Sequence, residues 1–224
     1  GEYRTGGFGG PDGLANYLKT ENIHALIDAT HPFAINISKN ASLAATKANC
    51  PLIQIIRPAW KKTEQDNWLE VSSMEQAANI LTAAHSPVFL TIGRLELAAF
   101  RNRTDLQMIA RAIEPAKKND PDKSKLAGLN SEPESWPLNI RFIYAKGPFN
   151  YNEEKELIQK HNIKSIVSKN SGGEKAKAKL DVARDLNIPV IMINRQQQQT
   201  QQHTQIVSSV KEAIIRLEEI YDHK

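Results

Sequence analysis

Apolar residues along this chain gather in short runs. Ile23–Asp28, Leu52–Ile56, Val88–Thr91, Ile140–Tyr144, Ser165–Ser168 and Pro189–Ile193 are rich in Ile, Val or Leu and have the length of buried strands. Between several of them the apolar spacing changes to three and four residues, as at Ala34, Ile37, Ala41, Ala44 and Ala48 and at Ala176, Leu180 and Ala183, which predicts helices. Strands alternating with helices predict an α/β fold whose sheets are mostly parallel. Two successive sets are expected, with a boundary near residue 84 separating domains 1–84 and 85–224. A last helix is predicted from about Gln205 to Tyr221, packing through Ile206, Val210, Ile214 and Leu217. The segment Ala116–Pro137 mixes Lys, Asp, Pro, Ser and Gly without apolar periodicity and reads as a surface loop. Gln196–Gln199, with Gln201 and Gln202, reads as a low-complexity linker.

Parallel α/β sheets hold ligands at the carboxyl ends of their strands, so the residues that follow each run are the informative ones. Asp28-Ala29-Thr30-His31-Pro32 follows the first, Arg57-Pro58-Ala59-Trp60 the second, Gly93-Arg94 the third, Lys146-Gly147-Pro148-Phe149 the fourth and Lys169-Asn170-Ser171-Gly172-Gly173 the fifth. Thr30 suits a helix cap, and His31 suits a proton donor or an anion contact. Arg57 suits a carboxylate clamp, with the Trp60 indole able to lie against a conjugated ring or to sit in the core. Lys169–Gly173 suits an anion cradle ahead of a lysine-rich helix, Glu174 to Asn187. The bland reading of that stretch is a Ser171 cap and a solvated lysine face. Gly6-Gly7-Phe8-Gly9-Gly10 lets a backbone approach phosphate or ribose closely, although glycine pairs also occur in plain turns.

Composition narrows the chemistry. Lys and Arg number 29 against 25 Asp and Glu, a formal +4. That excess fits an anionic small molecule as well as it fits nucleic acid, and no nucleic-acid partner is expected. Cys50 is the only cysteine, so neither an intramolecular disulfide nor a cysteine-based zinc site can form, and a cytoplasmic location is expected. The six histidines lack ligand spacing, so no metal is expected. No apolar run reaches membrane-spanning length, and no membrane partner is expected.

Taken in order, these tips resemble the precorrin-6A reductase family of cobalamin biosynthesis, with its cobalt-precorrin-6A branch. The matching runs are Gly6–Gly10, Asp28–Ala34, Ser38 with Asn40-Ala41, Pro51, Arg57-Pro58 with Trp60, Leu90–Arg94, Gly147-Pro148-Phe149 with Glu153, Lys169–Gly173, Lys179-Leu180, and Pro189-Val190 with Arg195. The resemblance implies two Rossmann-like domains with a tetrapyrrole and a nicotinamide cofactor, NADPH or NADH, meeting in a cleft. It implies hydride transfer to one macrocycle double bond, and other corrin-pathway enzymes as partners. By resemblance Gly6, Gly7, Gly9, Gly10, Thr30, His31 and Pro32 contact the cofactor, and His31 is the proton-donor candidate. Arg57, Arg94, Lys146, Gly147, Phe149, Lys169, Ser171, Gly172 and Gly173 contact the substrate. The family opens with a strand and a Gly-Gly-Thr turn ahead of the point where this chain begins, so the first domain is expected to lack its opening β/α unit. A non-catalytic tetrapyrrole- or nucleotide-binding module is the alternative, to be separated by titration with reduced cofactor and with a carboxylated tetrapyrrole.

Overall fold

The computed structural model describes residues 3–113, 137–196 and 204–222. The readings placed on Ala116–Pro137 and on the glutamine tract therefore lie outside the described residues, Pro137 and Gln196 excepted. The chain divides into two compact units, Gly1–Pro58 with Gln196–Lys224, and Ala59–Arg195. The boundary expected near residue 84 falls inside the second unit, in the short 3-10 turn Ala83–His85 ahead of a central strand. Sequence order hides this division because the chain leaves the first unit after its second strand and returns to it near the carboxyl end.

In the first unit α1 (Gly10–Thr20), β1 (Leu26–Asp28), α2 (Ile35–Ala48) and β2 (Leu52–Ile55) are joined by β9 (Thr204–Val207) and α6 (Val210–Asp222). The strands pair in parallel in the order β1-β2-β9, with Leu26 opposite Leu52 and Leu52 opposite Thr204. Small side chains on α2, Ala41 and Ala44, let α1 pack closely through Leu14, Ala15 and Leu18, with Cys50 closing the cluster. Each buried leucine there contributes about 2 kcal/mol. Ile37 lies off that stripe and is 57% exposed, where the alanine periodicity placed it inside.

The predicted last helix is also corrected. Residues 204–207 are a strand, and α6 packs through Ala213, Leu217 and Ile220 on Ile53 and Val207, leaving Ile206, Val210 and Ile214 exposed. Backbone pairing with β2 overrode the helical spacing of Ile206, Val210 and Ile214.

The second unit carries six parallel strands in the order β3-β8-β7-β4-β5-β6. They are β3 (Trp68–Val71), β4 (Val88–Thr91), β5 (Met108–Ala112), β6 (Ile140–Tyr144), β7 (Ser165–Lys169) and β8 (Val190–Ile193), with α3 (Met74–Ile80), α4 (Tyr151–Lys160) and α5 (Ala178–Asp185) between them. From β4 the chain steps outward through β5 to β6, then jumps back to β7 and steps the other way to β8. The order therefore reverses between β4 and β7, as in a doubly wound, Rossmann-like sheet. Four strands, β4 and β6 to β8, match the predicted runs closely, whereas β3 and β5 were not foreseen. One face is filled by Phe89, Ile109, Ile166, Val190 and Met192 against Ile158, Leu180 and Ala183 of the covering helices. Asp66 ties the segment before β3 to Arg184 of α5 at 2.9 Å. Burial raises the Asp66 pKa, but hydrogen bonds from the Thr63 backbone and hydroxyl, and Arg184, outweigh it and hold the carboxyl below its ordinary value.

Candidate functional site

In the first unit the candidate residues follow β1 and precede α1. Asp28 is buried at the end of β1, and its Oδ1 accepts from the Thr30 backbone N–H at 3.0 Å and the Thr30 hydroxyl at 2.6 Å. Gln54 Nε2 donates to its Oδ2 at 3.2 Å, and the Thr30 hydroxyl oxygen lies 3.3 Å from that of Ser38. Burial raises the Asp28 pKa, yet the hydrogen bonds from Ser38, Thr30 and Gln54 prevail and the carboxyl stays below its usual range. Thr30 is thus a partner of Asp28 and does not cap α2, whose first turn is preceded by Ala34 with no side-chain cap. His31 is exposed, and its Nδ1 accepts from the Phe33 N–H at 3.3 Å. A neutral imidazole that accepts at Nδ1 carries its hydrogen on Nε2 and presents a donor there. Pro32 is half-buried in the same turn.

Gly6, Gly9 and Gly10 have φ of 99°, 81° and 85°, a left-handed backbone that other residues rarely adopt. A Cβ at Gly6, Gly7, Gly9 or Gly10 would meet nothing within 4 Å, so at Gly6, Gly9 and Gly10 backbone conformation and not crowding calls for glycine, and the arch is open to a ligand. Gly13 is different, since a Cβ there would overlap the carbonyl oxygen of Phe8. The Phe8 ring is held by Tyr17 at 5.1 Å and by the Arg4 guanidinium at 4.7 Å. Arg57 is exposed beyond β2.

In the second unit the reversal between β4 and β7 points to the candidate site, because open α/β sheets bind ligands where the connections diverge at the carboxyl ends of the strands. The tips there are Gly93-Arg94 and Lys169–Gly173. Lys169 Nζ reaches Glu96 Oε1 at 2.6 Å, joining the two tips across the reversal. Ser171 and Gly172 are buried, and Gly172 and Gly173 turn at φ of 65° and 86°. The Ser171 side chain caps neither the 3-10 turn Glu174–Ala176 nor α5. Trp60 anchors this turn. Its backbone N–H donates to Asn170 Oδ1 at 2.8 Å, its carbonyl accepts from Asn170 Nδ2 at 3.0 Å, and its indole N–H donates to the Gly173 carbonyl at 3.2 Å. Of the two readings of the indole, a stacking surface or a core residue, the core one fits: Trp60 packs partly buried against the cluster of Ile166, Leu180 and Val190, and it also braces this loop.

Lys146 and Gly147 sit exposed after β6, the outermost strand, so they are not part of the reversal. Phe149 folds back over the Arg111 guanidinium at 3.9 Å from its ring centroid. Arg111 is the residue that sequence reasoning missed. It lies on β5, stacks on Phe89 at 4.7 Å and forms a two-pronged pair with Glu154 of α4 at 2.8 and 2.5 Å. Both side chains are nearly enclosed. A charged residue inside the apolar run Met108–Ala112 was the signal available. Lys179 is buried, so the bland reading of a solvated lysine face does not hold for it; its Nζ donates to the Ala176 carbonyl at 2.9 Å and lies 5.5 Å from the Trp60 ring centroid.

The molecule thus belongs to the class of two-unit parallel α/β proteins with a glycine arch on one unit and a basic, serine-bearing switch point on the other. The family model for "Precorrin-6x reductase CbiJ/CobK" matches residues 1–218. A protein named "Precorrin-6A reductase" from Rhodococcus erythropolis is 39% identical over 195 residues, covering 87% of this chain and 72% of its own. A namesake from Mycobacterium tuberculosis (strain ATCC 25618 / H37Rv) is 36% identical with the same coverage. "Cobalt-precorrin-6A reductase" from Priestia megaterium is 29% identical over 81% of this chain and 69% of its own. A solved structure, "CobK precorrin-6A reductase", superposes with a TM-score of 0.84 at 32% identity, over 97% of this chain and 82% of that one. The chain belongs to the precorrin-6x reductase CbiJ/CobK family, and its class is that of an oxidoreductase.

Proposed function

We propose that this protein reduces a double bond of precorrin-6A or cobalt-precorrin-6A in cobalamin biosynthesis, with NADPH or NADH as hydride donor. One observation carries the assignment of roles: the strand order reverses between β4 and β7, where Lys169, Glu96 and the Ser171-Gly172-Gly173 turn come together. A tetrapyrrole decorated with acetate and propionate groups needs cations and backbone donors at such a rim, and Arg94, Lys169 and Ser171 supply them. Arg57, Lys146, Gly147 and Phe149 extend the substrate-contacting set beyond the switch point.

The glycine arch Gly6–Gly10 suits the dinucleotide. Its open space and left-handed glycines fit a ligand whose phosphates or ribose lie against backbone N–H groups. When bound, the nicotinamide supplies a hydride to one carbon of the macrocycle double bond. The chain's own residues bind and orient the partners, and a proton must reach the neighbouring carbon. His31 is the donor to test first: in its protonated imidazolium form it can release a proton to that carbon and return to the neutral ring whose Nδ1 accepts from Phe33. Asp28 fixes Thr30 one residue before it, so the tip is held before any ligand arrives.

Anaerobic mixing of the protein with reduced nicotinamide tests the reading. Absorbance at the reduced cofactor's band should fall only after precorrin-6A or its cobalt form is added, in equal molar amount to product formed. A constant cofactor signal with both substrates would end it. Replacement of His31 by Gln should lower kcat by about 10²-fold with KM little changed if the imidazole delivers the proton.

A further inference from the structure

The polar layer around Trp60 contains a buried cation that the reaction as proposed does not use. We propose that Lys179 is a positioning residue, whose enclosed ammonium, seated against the Trp60 indole and bonded to the Ala176 carbonyl, holds the contact between Trp60 and Gly173 that shapes the 171–173 turn. This rests on the reading of that turn as a substrate contact.

Four distances define the device. The ammonium is 2.9 Å from the Ala176 carbonyl oxygen and 5.5 Å from the indole centroid. The same indole donates to the Gly173 carbonyl at 3.2 Å, and its backbone N–H bonds Asn170 at 2.8 Å. Lys179 therefore grips both ends of the connection: Ala176 just after the turn and, through one aromatic ring, Gly173 within it. A cation beside an indole is attracted to the ring face, and the attraction grows when water is excluded. Loss of the positive charge would leave a neutral amine against the ring and release the indole to tilt, with the Gly173 carbonyl following.

The charge is also conditional. Burial pulls the Lys179 pKa down from 10.5 to about 8; Glu154 of α4 favours the charged form and Arg111 of β5 opposes it. On its own helix, Asp181 and Arg184 pair with each other, and Arg184 also pairs with Asp66. The brace therefore loosens as pH rises through about 8, which makes the shape of the turn responsive to pH.

The test uses two substitutions and two readouts. In protein carrying 5-fluorotryptophan, the fluorine resonance of Trp60, assigned with Trp60→Phe, should titrate with a midpoint near 8 in the parent and stay flat in Lys179→Arg and Lys179→Met. In steady-state turnover, Lys179→Met should raise KM for the tetrapyrrole about tenfold at neutral pH with kcat within about twofold. The parent's KM should rise as pH passes 8, and Lys179→Arg, which keeps its charge, should hold KM level over the same range. A Trp60 resonance that titrates unchanged in Lys179→Arg, or that ignores pH in the parent, overturns the coupling. Lys169→Met and Ser171→Ala probe the turn's substrate contact separately. If both leave KM unchanged, the substrate reading of the turn fails, and the fluorine resonance alone then decides whether Lys179 controls its shape.

Discussion

The two units fasten their strand tips by opposite means. In the first, a single carboxylate, Asp28, gathers neutral donors from Thr30 and Gln54 beside Ser38, and among the described residues no cation bonds to it. In the second, the tip rests on charges: the enclosed pair of Arg111 with Glu154, the partly exposed pair of Lys169 with Glu96, and the buried Lys179 against Trp60. A carboxylate satisfied by hydrogen bonds is stable in its charged state without a counter-ion. A buried ion cluster depends on each of its members, because removing one leaves another uncompensated. The first tip should therefore degrade gradually under substitution and the second abruptly.

The sharpest break comes from Glu154→Ala, which leaves Arg111 and Lys179 facing each other without an anion. About 3–5 kcal/mol of stability should be lost, measured by urea unfolding. A loss below about 1 kcal/mol would mean that the cluster is hydrated and that the contrast between the units is false.

Next in size is Lys179→Met, with the opposite sign. The unfolded chain holds this proton up to pH 10.5 and the folded chain only to about 8, so folding is penalised fully below pH 8 and the penalty fades as pH rises from there toward 10.5. The methionine variant should be more stable than the parent near neutrality, by roughly 3 kcal/mol at most, and the difference should shrink at alkaline pH. Thermal unfolding at several pH values reads both features. A variant less stable than the parent at pH 7 would show that the ammonium's bonds outweigh its desolvation.

Smaller effects belong to the first unit. Asp28→Ala should cost about 1–3 kcal/mol by orphaning its donors. Because the Asp28 carboxyl titrates below its ordinary 3.8, its contribution is present above that value and lost as pH falls through the depressed folded pKa. The alanine variant should accordingly show a flatter acid limb in its stability profile. Least of all, Gly9→Ala should cost about 1 kcal/mol, since φ is 81° but a Cβ has room. A weaker nicotinamide affinity in that variant, beyond the stability change, would sharpen the cofactor assignment of the arch.

Among the strands that the sequence made legible, Val88–Thr91 and Val190–Ile193 are almost wholly apolar, while Ile140–Tyr144 and Ser165–Lys169 kept enough Ile, Val and Phe to be read despite Arg141 and Lys169. Those it concealed lie at edges or carry a working charge. β3 alternates into Glu70 at the sheet margin, β5 holds Arg111 within its run, and β9 is read as helix until β2 supplies its pairing partner. The tips announced themselves through glycine and hydroxyl residues, but the braces behind them did not. Lys179 looks in the sequence like Lys175 and Lys177, two exposed or half-exposed neighbours; only the way α5 turns against Trp60 distinguishes it. Burial of a charge is decided by three-dimensional packing, and spacing along a short helix is a weak guide to it.

The return of β9 to the edge of β2 has a consequence for biogenesis. During ribosomal synthesis the described strands of the 59–195 body emerge before Thr204–Val207 does, so the edge of β2 that takes β9 stays unpaired until that body has been made. The β2 edge that later pairs with β9 must then stay protected for the time needed to translate the intervening body.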